Sequence, residues 1–143
     1  MKHILVAIDG SERTAAIIEK SIEMAKCFNS KVTLLNVYEV PVFVYNFEFG
    51  YNPWLDELKA NLINKSGEIL ESARKNFTEA AIEADTVSVE GSPANQIIDY
   101  VCEHDDIDLI IMGSYGMSGF RRFFLGSITN KVAAATEKPI LII

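Results

Sequence analysis

Five short apolar runs punctuate the chain: Ile4–Ile8, Val32–Val37, Thr86–Val89, Leu109–Met112 and Ile140–Ile143. The first, fourth and fifth are nearly continuous in Ile, Leu, Val and Met, without polar alternation. Such runs read as strands buried on both faces of a parallel sheet. The third run, Thr86-Val87-Ser88-Val89-Glu90, alternates instead and predicts an edge strand.

Helical periodicity fills the gaps. Ala15, Ile18, Ile22 and Ala25 recur at steps of three and four and predict one apolar stripe between the first two strands. Leu58, Leu62, Ile69, Ala73, Phe77 and Ala80 predict a longer helix, with Asn52 as its cap and Pro53 in its first turn. Ser92-Pro93 repeats that start signal, and Ala94, Ile97 and Val101 carry the third stripe. Ile128, Val132 and Ala135 predict a short fourth helix that stops before Pro139.

The resulting order, β-α-β-α-β-α-β-α-β, predicts an α/β fold of three layers, α/β/α, with a five-stranded parallel sheet and right-handed crossovers. The preferred strand order is 3-2-1-4-5, a doubly wound topology that periodicity alone does not fix. One segment departs from the scheme. Glu39–Tyr51 carries Val40, Val42, Phe43, Val44, Tyr45, Phe47, Phe49 and Tyr51, unusually apolar for a connection. It either folds over the core, packs at a subunit contact, or forms a lid over a ligand.

Size and charge narrow the function classes. A chain of 143 residues with no internal repeat or linker predicts a single domain over residues 1–143. The net charge of −7, with no dense Lys/Arg run, argues against nucleic-acid binding by counterion release. No stretch reaches the roughly 18 apolar residues of a membrane span, and the apolar run at the N-terminus is too short for a secretory signal. Cys27 and Cys102 stand far apart and form no metal-ligand cluster; they are expected to be small buried hydrophobes in a reducing compartment. A cytoplasmic location is the expectation.

The candidate chemistry lies between the fourth strand and the fourth helix. There the sequence reads Met112-Gly113-Ser114-Tyr115-Gly116, then a nine-residue spacer, then Gly126-Ser127-Ile128-Thr129. In doubly wound sheets ligands sit where strand C-termini meet helix N-termini at the switch of winding. With order 3-2-1-4-5, Asp9-Gly10-Ser11 and Met112-Gly113-Ser114 flank that switch. Gly113 and Gly116 allow a sugar and phosphates to approach backbone, and Gly126 is expected to permit conformations closed to other residues. The helix opening at Ser127 offers free N–H groups, a positive dipole end and two hydroxyls. Taken on spacing alone, the same residues also serve as turn glycines and an N-cap.

The segment matches G-x2-G-x9-G-[ST], with Gly113, Gly116, Gly126 and Ser127 at the required intervals. In this it resembles the ATP-binding branch of the universal stress protein family. Val6-Ala7-Ile8-Asp9-Gly10-Ser11, Leu34-Leu35-Asn36-Val37, Gly91-Ser92-Pro93-Ala94-Asn95-Gln96-Ile97, Asp108–Ser114 and Pro139–Ile143 are similar to other parts of that family. The resemblance implies a Rossmann-like fold of the adenine nucleotide alpha hydrolase-like kind. It implies Asp9 and Val37 beside an adenine, with Ala7 and Ile8 near it. Met112, Gly113, Ser114 and Gly116 would line the ribose and first phosphates, and Gly126, Ser127, Ile128 and Thr129 would hold the phosphates. The ligand implied is ATP, or AMP or ADP, with Mg2+ or Mn2+ carried on the phosphates. A homodimer through the closing strand Ile140–Ile143 is also implied. Tyr115 departs from the pattern, standing where many relatives carry His or Arg.

Within the spacer, Phe120, Phe123, Phe124 and Leu125 are expected to anchor the loop, while Arg121 and Arg122 either reach a terminal phosphate or are solvated. His3, His104 and the carboxylates of Asp105, Asp106 and Asp108 read as structural or solvated groups. No G-x4-G-K-[ST] loop, HExxH, CxxC or nucleophile elbow occurs. The sequence thus offers the binding half of a phosphoryl-transfer site without a catalytic half. The expected function is a nucleotide-dependent regulatory module. A slow ATPase or phosphotransfer enzyme using Asp9 or a metal-bound water, and a dimeric interaction protein with nucleotide as a structural ligand, are the alternatives.

Overall fold

The computed structural model describes residues 1–41, 53–115 and 125–143. Expectations for Gly116, Phe120, Arg121, Arg122, Phe123 and Phe124, for the Asn52 cap, and for most of the aromatic segment therefore lie outside the described residues. The elements are β1 (His3–Ala7), α1 (Thr14–Phe28), β2 (Lys31–Tyr38), α2 (Pro53–Glu79), β3 (Ala84–Glu90), α3 (Pro93–Glu103), β4 (Leu109–Met112), α4 (Ser127–Ala135) and β5 (Ile140–Ile142). They form one parallel five-stranded sheet in the order β3-β2-β1-β4-β5. The predicted order and the three α/β/α layers are both present, in a Rossmann-like arrangement.

Continuous apolar strands follow from having two faces to cover. Ile4, Val6 and Ile8 point into one core, with Ile17, Ile18 and Ala25 of α1 and Leu70, Ala73 and Phe77 of α2. Leu5 points into the other, with Ala94, Ile97 and Val101 of α3 and Val132 of α4. Each such side chain contributes about 1.5–3 kcal/mol by leaving water. β3 is one edge, as its alternating sequence predicts, and β5 is the other. No described helix is long and apolar enough to cross a membrane.

The N-terminal end of the sheet is tied by polar groups. His3 is buried in β1; its Nδ1 faces Asp106 Oδ2 at 2.9 Å and its Nε2 faces Thr33 Oγ1 at 2.8 Å. Asp106 also pairs with Lys31 at 2.9 Å, and Asp108 accepts from the backbone N–H of His3 at 3.2 Å. These carboxylates therefore fasten the turn after α3 to β1 and β2 rather than lying free in solvent. His104, at the C-cap of α3, bonds the Tyr100 carbonyl through Nδ1 at 2.7 Å and stacks on the Tyr100 ring.

Three expectations need correction. Cys27 and Cys102 are exposed, not buried. Cys27 follows the buried Ala25 by two residues and Cys102 follows the buried Val101 by one, so at about 100° per residue both turn away from the core. The stripe of α1 is rotated: Ala15 is exposed, and Ile17 and Ser21 are buried with Ile18 and Ala25. Leu125, expected to anchor the spacer, is exposed.

Candidate functional site

β1 and β4 are neighbours in the sheet, with Ala7 paired to Met112 at their C-terminal ends. From there β1 leads to α1 on one face and β4 leads towards α4 on the other, so the two connections diverge and leave a crevice. Asn36, buried in β2, steadies the end of β1 by donating to the Ile8 carbonyl at 2.7 Å. Beyond it the chain turns at Gly10, whose φ of +75° disfavours any side chain. A Cβ there would lie 2.7 Å from Ile69 Cδ1. Asp9 stabilises the turn by accepting the Ser11 N–H at 3.0 Å.

The inner wall of the crevice is apolar, made by Ala7, Ile8, Leu35, Val37, Ile97, Met112 and Ile128. Asp9, Ser11, Gly113, Tyr115 and Thr129 add polar groups to the lining. Of the residues proposed from sequence, Ala7, Ile8, Asp9, Val37, Met112, Gly113, Ile128 and Thr129 thus come together on one wall. Ser114 turns to other work. Its N–H donates to the Ile143 carbonyl at 2.7 Å and its carbonyl accepts the Gly126 N–H at 2.6 Å. Ser127 is exposed as the first residue of α4, and Gly126 holds the N-cap position.

Gly126 does not play the expected conformational role. Its φ is −58°, open to any residue. What it supplies is room: a Cβ would sit 3.0 Å from both the Ser114 carbonyl oxygen and Tyr115 Cα. The glycine is needed so that α4 can begin against the backbone after β4. Gly113 is less constrained, its nearest neighbour being the flexible end of Ile17 at 3.3 Å. The Thr129 hydroxyl, expected as a free donor, is buried and donates to the Gly113 carbonyl at 2.7 Å.

The N-terminus of α4 nevertheless keeps donors. Its first intrahelical bond runs from the Asn130 N–H to the Gly126 carbonyl at 2.9 Å, so the N–H groups of Ser127, Ile128 and Thr129 lack an intrahelical acceptor. The N-cap residue, a glycine, supplies no side-chain cap, and no acidic residue sits in the first turn. Across the crevice, the hydroxyl oxygen of Ser11 is buried without a hydrogen-bond partner. Unsatisfied buried hydroxyls are costly and mark places where a further polar group would be welcome.

Comparison with known proteins fixes the family and the fold. The sequence profile described as "Universal stress protein family" matches residues 1–143. The universal stress protein YxiE of Bacillus subtilis (strain 168) is 33% identical over 145 residues, covering 98% of this chain and 97% of that one. The chain belongs to the universal stress protein family. Among solved structures of the family, MJ0577 of Methanocaldococcus jannaschii superposes with a TM-score of 0.84 at 26% identity, covering 99% of this chain and 94% of that one. An Archaeoglobus fulgidus universal stress protein, solved in complex with dAMP, shares the fold with a TM-score of 0.66 at 22% identity, covering 100% of this chain and 98% of that one.

Sequence reasoning placed Ser11 beside the switch point and Tyr115 within the motif, but passed over Ile17, Leu35, Pro93 and Ile97 as wall residues. Pro93 and Ile97 carried only the signals of a helix start and a core stripe. Nothing in a one-dimensional pattern says that α3 borders the same crevice as β1. Ser11 had a signal, since it closes the turn after Asp9.

Proposed function

We propose that this universal stress protein is an adenine-nucleotide-binding regulatory module. The observation that carries the reading is one juxtaposition: an apolar slot opens beside a helix N-terminus whose cap position is a glycine. The slot suits a purine ring, and the free N–H groups of α4 suit phosphate oxygens. The unpartnered hydroxyl of Ser11 is a further fit to a polar ligand. The family relative solved with dAMP supports the ligand class.

In this reading Ala7, Ile8, Asp9 and Val37 contact the adenine, and Met112, Gly113, Ser114 and Gly116 flank the ribose and first phosphates. The N–H groups of Ser127, Ile128 and Thr129 hold phosphate oxygens, and Gly126 sets the start of their helix. ATP is the proposed ligand, with AMP or ADP taking the same slot. Among the described residues no three of His, Cys, Asp and Glu converge to hold a metal. Mg2+ or Mn2+ would then ride on the phosphates, with Asp9 the carboxylate of the crevice wall. Because the described wall carries that carboxylate and no cation, binding and signalling are favoured over phosphoryl transfer. A homodimer through β5 completes the proposal, since an apolar edge strand is normally covered.

The test is mass analysis of small molecules released on denaturing the purified protein, followed by calorimetric titration with ATP, ADP and AMP. An adenine nucleotide in the released fraction, or saturable binding of one, is expected. In the presence of Mg2+ no phosphate should be released above a protein-free control. Absence of both carried and titratable nucleotide would remove the reading, and multiple turnovers of ATP would replace it with the enzymatic one.

A further inference from the structure

Arg13 has no task in the reading above. It holds the N-cap position of α1 and is partly buried. Its guanidinium carbon lies 4.0 Å from the centroid of the Tyr115 ring, and Nη2 donates to the Tyr115 hydroxyl. Neither partner is an anion. None of the ion pairs among the described residues includes Arg13. A guanidinium presents five N–H donors in a planar fork suited to two oxygens of one oxyanion. An aromatic face and one phenol oxygen satisfy that fork only in part.

Its surroundings point to what the fork awaits. Tyr115 lines the crevice. A Cβ built on Gly113 would lie 4.0 Å from Arg13 Cβ, so the stem of Arg13 borders the glycine. Ser11, two residues before Arg13 and on the crevice wall, carries a buried hydroxyl without a partner. The wall itself carries the Asp9 carboxylate and, among the described residues, no cation. Lys131, on α4, is held by Asn95 Oδ1 at 2.6 Å. Arg13 touches the wall directly, through Tyr115.

We infer that Arg13 is a specificity-determining residue: it leaves Tyr115 to grip a phosphate of the ligand, and so selects phosphorylated nucleosides over bare ones. The inference rests on the nucleotide reading of the crevice. It adds a charge-reading element from α1 to a site otherwise built from backbone N–H groups and apolar walls.

The experiment is calorimetric titration of the full chain and its Arg13→Gln and Arg13→Lys variants with adenosine and with AMP, at low and high salt. Arg13→Gln should weaken AMP by roughly tenfold or more, the value of a charge-assisted contact, while adenosine changes by less than about twofold. The salt dependence of AMP binding should flatten in Arg13→Gln, and Arg13→Lys should recover part of the loss because the charge is kept without the fork. Circular dichroism melting of both variants confirms that each is folded. If Arg13→Gln weakens adenosine and AMP by the same factor, Arg13 only shapes the crevice, and the inference is overturned. If neither ligand is affected, it is likewise overturned while the nucleotide reading stands. If the wild-type chain binds neither ligand, both fall together.

Discussion

A side chain at position 126 has nowhere to go, because its first carbon would press on backbone that cannot rotate away. At position 113 the obstacle is the end of the Ile17 side chain, which can. Two glycines of one motif thus differ in what they protect. Gly126→Val must push α4 off the segment after β4, an overpacking change that typically costs about 1–3 kcal/mol. It also moves the N–H groups of Ser127, Ile128 and Thr129 together. Gly113→Ala asks only for a few tenths of an ångström from Ile17. The expected order is a loss of ATP affinity of at least about tenfold in Gly126→Val and a clearly smaller loss in Gly113→Ala. Titration calorimetry beside urea unfolding checks it. Equal losses of affinity would mean that glycine at 126 serves the ligand and not the loop. The sequence motif shows the spacing of these glycines but not this difference. Spacing is one-dimensional, whereas the close approach of Gly126 to Ser114 spans an intervening segment.

At the scale of elements, periodicity was legible where burial is two-sided and blurred where it is not. β4 is apolar throughout, and β1 from Ile4 to Ala7, because helices cover both faces. The stripe of α1 was drawn through Ala15 and Ile22, although the face centres on Ile17, Ser21 and Ala25. A buried serine hides the true axis, and its hydroxyl is satisfied within the helix by the Ile17 carbonyl at 2.7 Å. The same limit hid the tie at the other end of the sheet. Asp106 reads as a turn carboxylate, yet Lys31 and then His3 hold its acid well below the usual range, at about 2 instead of 3.8. A carboxylate with a lowered folded-state pKa contributes stability that is present above its unfolded pKa and is lost as pH falls through the folded one. The contribution of Asp106 should accordingly be complete above about pH 4 and fade towards pH 2. Asp106→Asn is expected to unfold at lower urea than wild type at pH 6, with the gap closing by about pH 2 to 3. A gap of the same size at both pH values would show that the tie owes nothing to charge.

For the whole molecule, the sheet edge and the crevice are joined by peptide groups. β5 pairs with β4 and is the last strand of the sheet, with Ile142 exposed on it. From that edge the Ile143 carbonyl takes the Ser114 N–H, the Ser114 carbonyl takes the Gly126 N–H, and the Gly126 carbonyl takes the Asn130 N–H inside α4. An event that orders β5 is therefore expected to order the start of α4. If two copies pair through β5 and nucleotide sits on α4, the two equilibria share this hydrogen-bond chain, and any coupling it carries has the same energy in both directions. Ile142→Lys places a charge on the edge, a change that discourages strand pairing while leaving the inner faces intact. Wild-type protein should sediment at twice the 15.9 kDa chain mass, and more completely so with ATP present. The variant should sediment as a monomer and bind ATP some fivefold more weakly, a coupling of about 1 kcal/mol. Sedimentation velocity with and without ATP, set beside the titrations, measures both sides of the cycle. A monomeric variant that binds ATP as tightly as the dimer would show that the hydrogen-bond chain transmits nothing, leaving the edge strand and the crevice as independent features of one fold.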